Sequence, residues 1–372
     1  MKYTTAEVRN MWTVGAVLAR WRTVELAVLQ VQAELDLVPM TWYNAAKWKP
    51  GPSVEEFHRH EDECGHEMVA FLRAWDPPAP VHIGLTTSDV IDTATGLAFL
   101  NLRAHTYKTI RAFSTEMTRL ITDSKQVRSL ARTHGQPAII TTLSTTWGNL
   151  HDQTMNAIGD FRRDTDRLTR ARIGGPAGDH AHAMVSWTVQ DRVARTLNLA
   201  SAASLNQVAE RNSVASWAAS AARVCTAIEA IATVIWTGEQ FQIEELYESS
   251  PVGSSSMVHK QNPAAAEQLM GTARLARSMV EPLYSGMVHL GQRDLSHSSV
   301  ERTLIPQLMG LVLYSLQTMT SLLERLSANH ENLARSIDHS HPDNMRWLWL
   351  IEAQLQGHTY DKARQIASER QE

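Results

Sequence analysis

An all-α protein built on long helices is the fold class this sequence predicts. Three observations lead there. Apolar residues recur at three- and four-residue steps over Val214, Trp217, Ala218, Ala221, Cys225, Ile228, Ile231, Ala232 and Ile235, the period of an amphipathic helix with a broad apolar stripe. Only Pro137, Pro176 and Pro251 lie between His82 and Pro263, and proline in a helix interior costs about 3 kcal/mol, so this stretch has room for uninterrupted helices. No alternating period-two run with hairpin turns stands out.

In chain order, residues 37–55 are rich in Pro, Trp and Gly and read as a loop, and residues 76–88 (DPPAPVHIGLTTS) as the clearest linker. Residues 101–129 have helical periodicity. Residues 172–180 (RIGGPAGDH) form a glycine-rich turn, and 247–261 (YESSPVGSSSMVHKQ) a small-residue loop between long helices. A helix over 262–290 begins with Asn262 as N-cap and Pro263 at the first helical position. Another covers 303–327, and 338–344 (DHSHPDN) precede a short helical tail. The domains expected are 1–87, a central long-helix bundle over 88–337, and 338–372.

The composition of the 372 residues is 43% hydrophobic and 20% charged, with net charge −4. That excludes general disorder and argues against nucleic-acid and anionic-membrane partners. Two cysteines, Cys64 and Cys225, make no disulfide scaffold. The opening MKYTTAEVRNMW lacks the apolar core of a signal peptide. No apolar run is expected to reach the ~18 residues of a membrane span, so the chain reads as cytoplasmic. His180 and His182 flank a turn, but no Cys, Asp or Glu cluster completes a metal site. The eleven tryptophans are read as packing residues rather than a stacking platform.

Four segments carry candidate chemistry. Ser254 and Lys260 of the 247–261 loop, with Asn262 just after it, stand beside a helix start and would form an anion site, if the loop is not a polar linker. RTHGQPA (132–138) holds a lone histidine, His134, a type that is more often structural. HIGLTTSDVIDTA (82–94) is a loop entering a helix that Thr or Ser can cap. In QRDLSHSSVER (292–302), Ser298 and Arg302 are four apart and share a helix face, and arginine matches phosphate geometry. A capping box of Ser298 with Glu301 accounts for the same string.

GSSSMVHKQNP (253–263) resembles the signature loop of the fumarase/aspartase superfamily, GSSxMPxKxNP, with Val258 in place of proline. RTHGQPA resembles its T-x-H-x-Q-x-A region. HIGLTTSDVIDTA and QRDLSHSSVER resemble the H-x-G-x-T-S-x-D and R-D-x-S-H-S-S-V-E-R strings of the adenylosuccinate lyase family. The resemblance runs over residues 1–365, and the N-terminal EVRNMW and WRTVELAVLQVQAEL are similar to the family's first helices. It implies a fold with a long central helical bundle, the multi-helix core of a homotetramer, flanked by smaller helical domains. The C-terminal domain is expected to be shortened.

The implied reaction is β-elimination of fumarate from adenylosuccinate to give AMP, and also from the succinyl-carboxamide intermediate of purine synthesis. Ser254 would be the base and His134 the general acid, with Glu267 paired to that histidine. Lys260 and Asn262 would polarise the substrate carboxylate. Thr86 and Thr87 would contact the succinyl carboxylates, with Thr87 where serine is usual. Arg293, Ser298 and Arg302 would hold phosphate and ribose. GHEMVAF (65–71) resembles R-H-D-V-x-A-F and places His66 and Glu67 near the nucleotide, with Gly65 replacing arginine and Glu67 aspartate. Gln207, Gln268, His82, Thr133 and the Lys2-Tyr3 pair complete the substrate-binding set. Lys2 replaces an arginine and loses its bidentate fork. The resemblance implies a small-molecule nucleotide substrate, no metal and no redox cofactor, and active sites shared by three subunits. The alternatives are another lyase of the superfamily and a catalytically inactive helical tetramer.

Overall fold

The computed structural model describes residues 2–203, 206–340 and 345–370. Helices dominate, as the periodicity predicts. Six precede the first strand: α1 (Ala6–Met11), α2 (Val14–Glu34), α3 (Met40–Ala46), α4 (Val54–Cys64), α5 (Glu67–Trp75) and the 37-residue α6 (Thr87–Asp123). The side chains of Thr5, Thr13, Ser53 and His66 each accept a backbone N–H at the start of α1, α2, α4 and α5, satisfying donors that a helix start leaves open. Helix α3 falls inside the expected 37–55 loop. Its Ala46 is fully buried in a cluster with Leu29, Ala33 and Val38, so packing overrides a weak local signal.

The second departure is a β-hairpin. Strands β1 (Arg128–Thr133) and β2 (Gln136–Thr142) pair antiparallel, with Thr133 opposite Gln136. The two turn residues, His134 and Gly135, both have positive φ, at 54° and 73°. Positive φ at both central residues is the type I′ turn that suits the twist of a hairpin. A register shift between Leu130 and Arg132 breaks the alternation, which is why no period-two pattern marks these strands.

There follow α7 (Leu143–Leu168), β3 (Arg170–Ala171), α8 (Trp187–Thr196), β4 (Ala200–Ser201) and α9 (Asn212–Gly238). Helix α9 is long and apolar enough to cross a membrane by length and composition, which corrects the expectation that no stretch reaches that measure. Most of its apolar window is buried inside the protein, as in a core helix.

The expected loop at 247–261 is partly strand: β5 (Leu246–Glu248), β6 (Val252–Gly253) and β7 (Gln261–Asn262). Asn262 therefore sits in β7, and α10 (Ala264–Ser278) starts beyond the expected cap. Pro263 supplies the carbonyl that accepts from Glu267 N at 3.1 Å. The 262–290 helix is divided, since α11 (Val280–Ser285) is separate. Helix α12 (Ser296–Arg325) begins earlier than 303 and contains Pro306. Strand β8 (Leu326–Ala328) pairs with β5, and α13 (His330–His339), α14 (Arg346–Leu355) and α15 (Tyr360–Glu369) complete the chain. Residues 341–344 of the expected 338–344 separator lie outside the described residues.

The chain divides into two compact units. One comprises Met1–Thr109, Ala157–Cys225 and Arg274–Tyr314; the other comprises Ile110–Asn156, Thr226–Ala273 and Ser315–Glu372. A core of the first joins Leu18, Trp21, Val24 and Val28 of α2 to Phe57, Phe71 and Trp75 of α4 and α5, and to Val90, Val189 and Val193 of α6 and α8. Each such side chain contributes about 1.5–3 kcal/mol on burial. Gly96 lets α6 meet β3, for an added Cβ would lie 2.2 Å from the Arg170 carbonyl oxygen. The second unit buries Phe113 and Met117 of α6, Trp147 of α7, Ile228 and Ile231 of α9, Leu269 of α10 and Leu316 and Met319 of α12.

Candidate active site

The residues expected to do chemistry lie in the second unit. Val252 pairs with Asn262 and Gly253 with Gln261, so the signature string is a closed hairpin loop. At its start Ser254 Oγ accepts from Met257 N at 3.0 Å and from Ser256 N at 3.4 Å. Two backbone N–H groups aimed at one hydroxyl oxygen favour negative charge on it. Lys260 N donates to Met257 O at 2.9 Å, tightening the same loop. Val258 is 98% exposed, so no packing holds the position where the superfamily has proline.

His134 stands at the tip of the β1–β2 hairpin and is exposed. Beneath it Arg132 anchors the hairpin with a two-pronged ion pair to the nearly buried Glu245, at 3.0 and 2.5 Å. Thr133 is the last residue of β1. Glu267, in the first turn of α10, accepts from Trp236 Nε1 at 3.3 Å. Among the described residues, His134 and Glu267 share no hydrogen bond within one chain, so the expected pairing is not made there. Gln268 is exposed on α10.

Next to the signature loop, a cavity is lined by Lys260 and Asn262 together with Glu239 and Glu248. Burial pushes Glu239 up to about 7, and the neighbouring Glu248 adds to the shift. Burial raises Glu248 as well, against the charge of Arg325. Sequence reasoning missed both carboxylates, because a glutamate in a polar loop carries no sign of burial.

The first unit holds the expected anion-binding residues. A cavity of about 530 Å3 is walled by apolar Trp12, Leu18, Trp21, Phe57 and Ile305 and by polar Glu67, Arg293, Ser298 and Arg302. An adjoining cleft adds His66 and Thr87. Arg293 Nη1 donates to Gln207 Oε1 at 3.2 Å, and Gln207 Nε2 donates to Pro176 O at 2.7 Å. Arg302 Nη1 donates to Glu67 Oε2 at 2.6 Å, while its Nη2 meets Glu67 Oε1. The structure thus brings together His66, Glu67, Thr87, Gln207, Arg293, Ser298 and Arg302.

Other expected members are placed elsewhere. His82 is committed to Glu25, with Nδ1 2.6 Å from Oε1 and its own N–H on Oε2 at 3.0 Å. Burial opposes its charge, yet the hydrogen bond and charge of Glu25 outweigh this, and its pKa is raised. Lys2 and Tyr3 do not line the cavity; the Tyr3 ring packs edge-on against Tyr314 at 5.6 Å. Thr86 N donates to Asp89 Oδ2 at 2.8 Å, and its hydroxyl is buried without a partner. His180 stacks on Trp187 and bonds the Val185 carbonyl, and His182 caps a 3-10 turn, so both have structural work.

The capping box of Ser298 with Glu301 is not formed. Asp294 caps α12 instead, accepting from Ser296 N at 2.7 Å and from the Ser296 hydroxyl. That hydroxyl, with the backbone N–H groups of Leu290 and Ser296, holds Asp294 well below the usual carboxylate range. Ser298 is then free for the cavity.

Glu301 pairs with Arg211 at 2.7 Å. Arg211 also grips Asp92 through both terminal nitrogens, at 2.9 and 3.1 Å, and the Ala209 carbonyl at 2.7 Å. All three charged groups line the cavity. Burial pushes Glu301 up to about 7 despite Arg211, and pushes His297 down to about 4. A second buried pair, Arg172 with Asp89 at 2.9 Å, fixes the glycine-rich turn, whose Gly174 and Gly175 N–H groups also donate to Asp89. Asp92, Arg172 and Arg211 are charged residues that nothing in the linear pattern marks as inward.

A profile of the lyase family matches residues 53–277. The chain is 28% identical over 345 residues to an adenylosuccinate lyase of Thermotoga maritima, covering 91% of this chain and 80% of that one. It is 27% identical to one of Bacillus subtilis, with the same coverage. Among solved structures, a fumarate lyase from Mesorhizobium superposes with TM-score 0.88 at 20% identity over 99% of this chain and 86% of that one. A 3-carboxy-cis,cis-muconate lactonizing enzyme from Pseudomonas putida does so with TM-score 0.84 at 19% identity, over 99% and 85%. At such identities the superpositions establish the shared fold.

Proposed function

The chain belongs to the lyase family, and on that premise we propose that it is an adenylosuccinate lyase acting in purine nucleotide synthesis. One observation carries the reading: Arg293, Ser298 and Arg302 converge on a single cavity with an apolar wall. Two guanidinium groups suit a phosphate, and the tryptophan-lined wall suits a purine ring. The names of the Thermotoga and Bacillus relatives point the same way. Residues 1–87, 88–337 and 338–372 are the domains on this reading, with the central bundle as the core of a homotetramer.

The chemistry follows from the signature loop. Ser254 Oγ, as the alkoxide, takes the proton from the carbon beside the substrate carboxylate. The N–H groups of Ser256 and Met257 already point at that oxygen and lower the cost of its charge. The electron pair left on carbon is delocalised into the carboxylate, where Lys260 and Asn262 hold the second charge. It then forms the carbon–carbon double bond of fumarate as the carbon–nitrogen bond breaks. The His134 imidazolium gives its proton to the departing purine nitrogen. Glu267 of a second subunit supports that imidazolium, in keeping with the absence of the contact within one chain. Thr87, which lines the adjoining cleft, takes the substrate's other carboxylate.

The test is the ultraviolet spectrum of adenylosuccinate mixed with the purified protein, with AMP and fumarate identified by chromatography. Turnover is expected, and Ser254→Ala and His134→Asn are each expected to lower kcat by at least about a hundredfold, the scale of general acid–base catalysis. An active protein that turns over non-nucleotide succinyl compounds alone would make it another lyase of the family. A folded tetramer that binds AMP without turnover would make it an inactive one.

A further inference from the structure

We propose that Glu67 is a built-in competitor for the phosphate site, and that it makes the site selective for dianions. The inference rests on the reading of Arg302 as a phosphate-binding residue. Glu67 is the first residue of α5 and Arg302 lies in the second turn of α12. Both carboxylate oxygens of Glu67 occupy both terminal nitrogens of Arg302. That is the two-pronged geometry by which a guanidinium holds a phosphate, so carboxylate and phosphate cannot share it.

The second cation of the cleft differs. Arg293 donates to the neutral Gln207 and, among the described residues, forms no ion pair. An incoming anion therefore finds one guanidinium open and one already neutralised. A monoanion that displaces Glu67 exchanges one charge for another and gains little. A phosphate monoester dianion gains a second unit of charge between Arg293 and Arg302. It also releases the Glu67 side chain, 17% exposed when paired, into the cleft.

Side-chain length matters to this role. The 2.6 Å contact depends on the glutamate methylene that an aspartate lacks. Shortening by one carbon withdraws the carboxylate by about 1.5 Å, a carbon–carbon bond length, beyond hydrogen-bond reach.

The experiment is calorimetric titration of the full-length protein at constant ionic strength with inorganic phosphate, methyl phosphate (a dianion near pH 8) and dimethyl phosphate (a monoanion). Inorganic phosphate lacks the ribose and base, so any further role of Glu67 toward the nucleoside does not enter. Glu67→Gln is expected to bind inorganic phosphate roughly tenfold more tightly, a change worth about 1.4 kcal/mol. Glu67→Asp is expected to shift the same way, and both to narrow the preference for methyl over dimethyl phosphate. The gain is expected to vanish in an Arg302→Ala background. Unchanged or weaker phosphate binding by Glu67→Gln, while Arg302→Ala weakens the parent protein, overturns the competitor role alone. If Arg302→Ala leaves phosphate and AMP binding of the parent protein unchanged, the phosphate reading and the inference built on it both fall.

Discussion

At the scale of single residues, two charged groups behind the cavity contribute to how this protein answers to pH. Glu301 is held up to about 7 from 4.5 by burial. Between those values the folded chain binds a proton that the unfolded chain has released, so stability falls as pH rises, by at most about 1.4 kcal/mol per unit. His297 runs the other way. Burial lowers it from 6.5 to about 4, so over that interval the unfolded chain binds more protons and stability rises with pH. Glu301→Gln removes the first slope and keeps the second. Urea unfolding at about pH 5 and about pH 7 should then show the variant gaining stability relative to the parent as pH rises; parallel shifts at both pH values would refute it. Little of this was legible beforehand. Glu301 sits between Val300 and Arg302 in a string whose serines and arginines point to a phosphate, and nothing in it foretells Arg211 as a partner ninety residues away. By contrast, Ser254, Lys260 and Asn262 were legible because one loop carries them all within nine positions.

At the scale of elements, the helices follow their apolar period, and the departures come where packing or turn chemistry outweighs it. Met40–Ala46 is helical because Ala46 has a buried niche. The β1–β2 hairpin escapes notice because its turn is His-Gly rather than Asn-Gly and its register slips once. That hairpin carries the proposed acid at its tip, and Gly135 at φ 73° supplies a backbone that an L-residue adopts at a cost of roughly 1–2 kcal/mol. Gly135→Ala is therefore expected to lower stability by about 1 kcal/mol. It should also reduce kcat with little change in KM, because the turn aims His134 and supplies none of the residues proposed to hold the phosphate. Steady-state kinetics on protein shown to be folded checks this; an unchanged kcat would mean that the turn geometry is not used in proton delivery.

At the scale of the whole molecule, the exposure of His134 and the commitment of Glu267 to Trp236 leave the proposed acid without its carboxylate in one chain. If sites are shared, subunits of Ser254→Ala and His134→Asn, each inactive alone, should regain activity when dissociated and reassembled together. Mixed oligomers without activity would place serine and histidine of each site on one subunit. A single sequence discloses such sharing only through the wide separation of its motifs.

On the proposed function, the two compact units divide the labour. Ser254, Lys260, Asn262 and His134 belong to one, and Arg293, Ser298, Arg302 and Glu67 to the other. In evolutionary terms this makes the scaffold modular. The proposed carbanion machinery could then stay constant while drift in the other unit retunes which leaving group is accepted. Substrate range can therefore change by substitutions that never put the elimination step at risk. A library confined to the cavity wall is the natural place to seek new amine leaving groups.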